Sequence, residues 1–443
     1  MSRAYYILMI AVRILFDLYR ITNFAKKIKN HFYFGTENLD FFVKKRTKKV
    51  FKSALKTDYY KQHFIKLNQS TKNLSVEDFP IIDKKTIIES QKSFCLKNIL
   101  IPKTMGNTGG STGSPFSFFT DLNCRLTEFS HQLFFYKELG FNRFDKIYSF
   151  GGLKISHQKI KKNIFWKNKI FGFPFGNIIF SADLLTDSNA SHYFNKISNN
   201  KPQFLRGYPS AIMTIANFIK KNKIRVDFLK GILLTSEMIS IQNISLISKY
   251  FNCKVVPQYG QAENSVFGFA YPNKLKYFCS PFYGITEVIN PKTGLHVKEN
   301  ELGEVVVTSL SNLYQPLIRY KTGDLAIYGG KKNDFVVLDK LYGREQDFIF
   351  DKNFNKILLV GLIFGSHTEA FNHINDWQFV QNKPGKLFIN IHHAKSWNSL
   401  IHENLVNNLF INHELEIEIK YYLDFVKTKA GKRKFLIQNI KVE

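Results

Sequence analysis

Five short segments carry the residue types most able to do chemistry. The first, Thr108-Gly109-Gly110-Ser111-Thr112-Gly113-Ser114-Pro115, is the most turn-rich run in the chain. Its glycines let the backbone turn tightly and present successive N–H groups, and such concave donor arrays bind phosphate oxygens. Thr108, Ser111 and Thr112 add hydroxyl donors. The lysine and spacing of a GxxxxGK[ST] loop are absent, so it is a different phosphate loop from that one. An ordinary surface loop is the competing reading, and the density of hydroxyls weighs against it.

The second segment, Gln258-Tyr259-Gly260-Gln261-Ala262-Glu263, follows the strand-like Cys253–Pro257. Ligand crevices in open α/β sheets lie at the carboxyl ends of strands. There an aromatic can stack on a base, a glycine permits close approach, and a carboxylate can hold Mg²⁺ together with substrate phosphates. A capped helix start accounts for this hexapeptide about as well. In the third, Arg319-Tyr320-Lys321-Thr322-Gly323-Asp324, an Asp after a Gly turn can accept hydrogen bonds from a ribose diol. Taken alone, a β-turn between strands is the simpler reading. The fourth, Gly343-Arg344-Glu345-Gln346-Asp347, is a Gly-led polar stretch of the kind that serves as a hinge. The fifth, Thr428-Lys429-Ala430-Gly431-Lys432, offers a lysine on a glycine turn, a compact point charge for an anionic site. The lysine-rich tail makes a random basic turn an equal alternative.

The elements that must position these residues follow from patterning. The chain has 443 residues, 44% of them hydrophobic and 15% aromatic. That is enough to bury a sizeable core and excludes wholesale disorder. Four cysteines without a CxxC pair exclude a disulfide scaffold and give little support to structural zinc. Residues 1–100 read as helical and basic. Residues 145–270 alternate strand-like segments (KIYSF, NIIFS, QFLRG, GILLTS, CKVVPQYG) with helix-like stretches at 211–221 and 241–250. That alternation predicts layered α/β structure with parallel strands. Residues 275–340 are β-rich and read as a smaller subdomain. The last hundred residues contain a hairpin-like DKNFNK turn, a helical stretch near 364–375 and three strand-like runs. They predict a small α+β domain.

In this order and spacing the five segments resemble the motifs of the adenylate-forming superfamily of acyl-CoA synthetases and adenylation domains. TGGSTGSP is similar to its Ser/Thr/Gly phosphate loop, YGQAE to its YGxTE motif, RYKTGD to its YRTGD motif, GREQD to its GRxxD hinge motif and TKAGK to its terminal lysine motif. Phe116 after Pro115, the chain length and the GYPS element at Gly207–Ser210 resemble the phenylacetate-CoA ligase branch with its capsular-polysaccharide, CapK-like members. The resemblance implies a large N-terminal domain over 1–343 with a β-rich subdomain, and a small mobile C-terminal domain over 344–443. It implies ATP-dependent activation of a carboxylate as an acyl-adenylate, with release of pyrophosphate and acyl transfer to a thiol or another nucleophile. Thr108, Gly110, Ser111, Thr112 and Gly113 would hold phosphates, Tyr259 and Gly260 the adenine, Asp324 the ribose and Glu263 Mg²⁺. Arg344 would sit near the ribose and phosphate, Gln346 would be the pivot, and Lys432 would bridge the carboxylate and the α-phosphate. Gln261-Ala262 and Gln346 depart from the common pattern, which puts CoA as acceptor in more doubt than adenylation. A carrier thiol or a sugar amine is the alternative. Tyr148–Gly152 and Thr235–Met238 lie where relatives line the acyl pocket, although the aromatics read equally as core.

The net charge of +28, from 63 basic and 35 acidic residues, admits nucleic acid, an anionic membrane or an anionic small molecule as partner. Base-composition drift explains much of it as well. The best polyanion patch runs from Leu153 to Ile170, with six lysines and no acid around Phe165 and Trp166. Nucleic acid ranks below adenylation as a function. Residues 4–25 are too interrupted by Arg13 and Asp17 to span a membrane and lack a nearby cleavage site. They read as an amphipathic helix that packs on its own domain or lies on a membrane surface. The expected location is the cytoplasm, with the inner membrane face as an alternative. His367, His373, His392, His393 and His402 form no convincing ligand set.

Overall fold

The computed structural model describes residues 3–35, 38–97, 102–107, 117–169, 172–237, 239–344, 348–358, 373–393, 396–409, 415–421, 425–427, 431 and 434–440. Four helices open the chain: α1 (Arg3–Phe34), α2 (Leu39–Ala54), α3 (Asp58–Lys66) and α4 (Lys84–Glu89). In α1 the residues Ile21, Ala25, Ile28 and Phe32 fall on one face and are buried. That face packs on the long helix α5 (Leu122–Glu138), which follows the hairpin β1 (Lys103–Asn107) and β2 (Ser117–Asp121).

A parallel block comes next: β3 (Ile147–Gly151), α6 (His157–Lys161), β4 (Trp166–Asn168), β5 (Ile178–Ser181), α7 (Ala190–Asn200), β6 (Phe204–Gly207), α8 (Pro209–Lys221), β7 (Gly231–Thr235), α9 (Ile241–Phe251) and β8 (Lys254–Gly260). Strands β5, β3, β6, β7 and β8 pair in parallel. Side chains alternate between two cores, as the pleat requires. Leu205, Ile232, Leu234 and Val255 pack under α7–α9, whereas Phe204, Leu233 and Val256 pack under α1 and α5. Pro209 opens α8 at its first turn, where a missing N–H costs nothing. The Ser240 hydroxyl caps α9 by accepting from the Asn243 N–H at 3.2 Å.

The β-rich stretch joins this sheet rather than standing apart from it. Strand β9 (Phe267–Ala270) pairs antiparallel with β8, and β10 (Tyr277–Cys279), β11 (Gly284–Ile289), β12 (Leu302–Ser309), β13 (Tyr320–Lys332) and β14 (Phe335–Arg344) extend it. The result is one twelve-stranded sheet in the order β11-β12-β13-β14-β10-β9-β8-β7-β6-β3-β5-β4. The sequence shows the antiparallel strands but not that their open edge is satisfied by β8.

Beyond this sheet, β15 (Phe348–Phe350) and β16 (Lys356–Leu358) form the expected hairpin. Strands β17 (Ile374–Lys383), β18 (Lys386–His393), β19 (Glu416–Tyr421) and β20 (Leu436–Gln438) make a sheet in the order β19-β18-β17-β20, accompanied by α10 (Ser399–Leu409). Residues 364–372 of the expected helix lie outside the described residues, and Ile374 already belongs to a strand. Pairing with β18 decides that segment over its weak local pattern. The hydrophobic core here includes Ile349, Ile357, Phe379, Leu387, Ile389, Ile391 and Leu405, all from the last part of the chain.

Candidate active site

The carboxyl ends of β3, β6, β7 and β8 fall along one edge of the parallel block, and β8 is where the pairing switches from parallel to antiparallel. A crevice at such a switch is where α/β sheets hold ligands. Gln258, Tyr259 and Gly260 are the last three residues of β8, so the hexapeptide ends a strand and does not begin a helix.

Tyr259 is buried, and its hydroxyl donates to Asp324 Oδ2 at 2.8 Å. Burial, and then the Asp324 charge, push the phenol well above its ordinary pKa, which keeps it a donor. Gln261 Nε2 reaches the same carboxylate oxygen and the Thr322 carbonyl, both at 3.4 Å. The segment expected as a turn between strands is instead an irregularity inside β13. Gly323 takes φ +74°, a left-handed conformation that glycine adopts freely. The Thr322 hydroxyl accepts from the Asp324 N–H at 3.0 Å, which fixes the bulged carboxylate toward Tyr259. Arg344 lies opposite Asp324 in the β13–β14 register, although its side chain is outside those described.

Glu263 is 6% exposed and accepts from the Tyr320 hydroxyl at 3.3 Å through Oε1. A buried carboxylate is a hard oxygen donor suited to Mg²⁺ when phosphates supply the other ligands. Among the described residues no group of three His, Cys, Asp or Glu side chains is placed to hold a metal by itself.

Sequence reasoning missed the layer beneath this loop. Asn264 Nδ2 donates to the Tyr283 hydroxyl at 2.7 Å, and Tyr283 donates to Glu128 Oε2 at 2.7 Å. Gln132 Nε2 donates to Glu128 Oε1 at 2.9 Å and to Gln258 Oε1 at 3.0 Å. The chain of bonds therefore leaves the loop at Asn264, crosses α5 and returns to β8 at Gln258. One turn along α5, buried His131 holds Nδ1 2.7 Å from the Thr127 carbonyl and Nε2 2.9 Å from Ser280 Oγ. A carbonyl only accepts, so Nδ1 carries the proton and Nε2 accepts from Ser280. Burial pulls this imidazole down to about 3.

The segments expected to line an acyl pocket divide. Tyr148 and Phe150 are core, packed on Phe180 with ring centroids 6.0 and 4.9 Å away. The ends of three strands are tied together beside them. The Ser210 N–H and hydroxyl both donate to Glu237 at 2.9 Å, and the Gly152 N–H donates to the Tyr208 hydroxyl at 3.3 Å. On β6, Arg206 lies 5.2 Å from the centroid of the Phe175 ring, and its buried Nε has no hydrogen-bond partner among the described residues. In the Leu153–Ile170 patch Phe165 is buried and stacks on Tyr193 at 5.2 Å, whereas Trp166 is partly buried with Lys196 Nζ 5.6 Å from its ring centroid.

Thr108, Gly110, Ser111, Thr112, Gly113, Gln346 and Lys432 lie outside the described residues. The base of the terminal loop is described. Gln378 on β17 donates through Nε2 to the Val426 carbonyl at 3.0 Å and the Lys434 carbonyl at 2.8 Å, and its Oε1 accepts from the Val426 N–H at 3.2 Å. Gly431 is buried with φ +78°, and a Cβ there would collide with the backbone of Ala182 and Asp183, just past β5. Lys427 Nζ reaches the Leu185 carbonyl at 3.4 Å.

No protein-family model matches the chain. It is 28% identical over 409 residues to Protein CapK of Staphylococcus aureus, covering 87% of this chain and 86% of that protein. A shorter stretch of 190 residues is 26% identical to indoleacetate–lysine synthetase of Pseudomonas savastanoi, 42% of this chain and 43% of the relative. The fold superimposes on 2-hydroxyisobutyryl-CoA ligase in a postadenylation complex with a TM-score of 0.67 at 16% identity, over 93% of this chain and 91% of that one.

The chain has the adenylate-forming fold.

Superposition on the same ligase in its thioesterification state gives a TM-score of 0.58 at 17% identity. Across both structures the adenylate-forming fold accounts for the large mixed sheet and the small terminal unit together. Among the described residues no helix is long and apolar enough to cross a membrane.

Proposed function

We propose that this adenylate-forming enzyme uses ATP to activate a carboxylic acid as its acyl-adenylate, then transfers the acyl group to CoA or another nucleophile. The observation that carries the reading is the Tyr259–Asp324 pair, which joins the second and third motifs at the switch point of the sheet. In this reading residues 1–343 bind ATP and the acid, and residues 344–443 form the domain that turns about Gln346. A substrate carboxylate oxygen attacks the α-phosphorus of ATP, the bond to the β-phosphate oxygen breaks, and pyrophosphate leaves. Positioning and charge neutralisation are what such a displacement asks of a protein. Thr108, Gly110, Ser111, Thr112 and Gly113 cradle the phosphates, Tyr259 and Gly260 flank the adenine, and Asp324 accepts from the ribose hydroxyls. Glu263 would hold Mg²⁺, which supplies positive charge to the phosphates when bound. Arg344 sits at the domain junction near the ribose and phosphate, and Lys432 approaches the reacting phosphate from the small domain.

An amine, on a sugar or an amino acid, is the second reading for the acceptor. The match to a relative named for joining indoleacetate to lysine favours it. Acid-dependent exchange of labelled pyrophosphate into ATP tests the first half-reaction. Exchange with at least one acid of a broad panel, abolished in Glu263→Ala, supports the proposal. No exchange with any acid, together with no ATP binding by the folded protein, overturns it. Product analysis with CoA and with amino sugars then separates the two acceptors.

A further inference from the structure

A second strongly charged concavity lies away from these motifs. Helices α1 and α2 and the start of α5 enclose a cleft of about 320 Å³ whose walls include Arg20, Lys45, Arg46, Lys49, Phe42 and Asn123. Phe42, Lys45, Arg46 and Lys49 fall at i, i+3, i+4 and i+7 of α2 and therefore share one face. The Arg46 guanidinium lies 5.5 Å from the Phe42 ring centroid, which orients it. Burial, and then Arg20, hold Arg46 below its ordinary pKa, with Asp121 opposing them. Among the described residues none that lines the cleft is acidic. Asp121 is buried, and its oxygens accept from the Asn123, Cys124 and Leu313 N–H groups. Asp17 stands one turn before Arg20 on α1. Lys45, Arg46 and Lys49 share one face of α2 and repel one another, and an anion that enters the cleft relieves that repulsion.

The cleft lies at the Asp121 end of the β1–β2 hairpin. Asp121 and Lys103 pair at one end of the β1–β2 hairpin, and Asn107 and Ser117, which flank 108–116, pair at the other. Four residues at about 3.4 Å each place the two ends about 14 Å apart. A guanidinium with two ammonium groups matches a tetrahedral oxyanion, since the planar fork binds it bidentately and the lysines act as point charges. Beside the cleft, Leu18, Tyr19 and Phe41 are 44%, 66% and 68% exposed.

We infer that the α1–α2–α5 cleft is a second anion site that binds a phosphate group, presented by an anionic lipid headgroup or by a free phosphate compound. The test uses the full chain and two double variants of equal charge. Lys45→Gln/Lys49→Gln empties the cleft wall, and Lys44→Gln/Lys48→Gln removes the same charge from exposed positions of α2 outside it. Unchanged melting temperatures check folding. Sedimentation with phosphatidylglycerol vesicles and calorimetric titration with inorganic pyrophosphate are the two arms. The cleft variant is expected to bind the vesicles about 25-fold more weakly, roughly fivefold per lysine, while the control variant changes little. Loss confined to the cleft variant in the vesicle arm identifies a lipid source. Loss confined to that variant in the pyrophosphate arm alone identifies a free phosphate compound. Equal behaviour of the two variants in both arms overturns the site.

Discussion

The loop at the end of β8 and the loop near the end of the chain are held in opposite ways. The first sits on a buried chain of hydrogen bonds through Asn264, Tyr283, Glu128, Gln132 and Gln258, with Tyr259 clamped to Asp324 above it. The second is closed at its base by Gln378 and by the Lys434 N–H, which donates to the Val426 carbonyl at 3.0 Å, and it meets the large sheet through Gly431 and Lys427. A nucleotide-binding surface gains from being fixed before the ligand arrives, because less ordering remains to be done on binding. A group needed in only one step gains from an attachment that can be made and released. Under the proposed function the contrast assigns binding to the fixed loop and chemistry to the loop that can be released.

The strongest test of that contrast is Lys432→Ala. It should lower the rate of adenylation 10²- to 10³-fold, as loss of a charge-stabilising group does, while ATP binding measured by calorimetry changes only a few-fold. A comparable collapse in ATP affinity would erase the distinction. Asp324→Asn works from the other side. Losing a charge-assisted hydrogen bond costs about 1.5–3 kcal/mol, so ATP affinity should fall roughly 10- to 100-fold, with little change in the rate at saturating ATP. Gln378→Leu sharpens the picture, since it leaves the Val426 and Lys434 carbonyls without this partner. The expected result is about a five- to tenfold lower kcat at an unchanged KM for ATP, in line with losing one or two net hydrogen bonds. An effect on KM alone would mean that the terminal loop helps to bind nucleotide.

The smallest effect concerns stability beneath the fixed loop. His131 is held at about 3 in the folded protein, against roughly 6.5 when unfolded. Between those values the unfolded chain takes up a proton that the native state refuses. Stability is therefore fully present above about pH 6.5 and falls as the pH drops toward 3, by at most ~1.4 kcal/mol per pH unit from this group. Urea midpoints at pH 7 and pH 5 should differ less in His131→Gln than in the parent. An equal difference would show that other groups govern the acid limb.

Much of this was legible in the residues. The strands β3, β5, β6, β7 and β8 and the helices α8 and α9 stand where apolar runs and turn residues place them. Their local pattern and their tertiary packing agree. The motif order led to the superfamily because each motif is short and contiguous. What stayed hidden depends on partners distant in sequence. The bond from Tyr283 to Glu128 spans 155 residues and that from Gln378 to Lys434 spans 56. A lone glutamine or tyrosine carries no local mark of such a role. Arg206 was visible inside the GYPS neighbourhood, yet only the burial of its Nε distinguishes it from the many other cations. The continuity of the twelve-stranded sheet was equally unreadable, because a strand pattern does not name its neighbour.

Gly431 has a consequence for the distance between the two parts of the molecule. With no side chain, it rests directly against the backbone at Ala182 and Asp183. A methyl group at that position would act as a shim, holding the terminal unit away from the end of β5 by about the width of a carbon atom. Position 431 is thus a depth stop, and the smallest residue gives the deepest seat. A spacing set by the absence of atoms can be lengthened by any substitution and shortened by none.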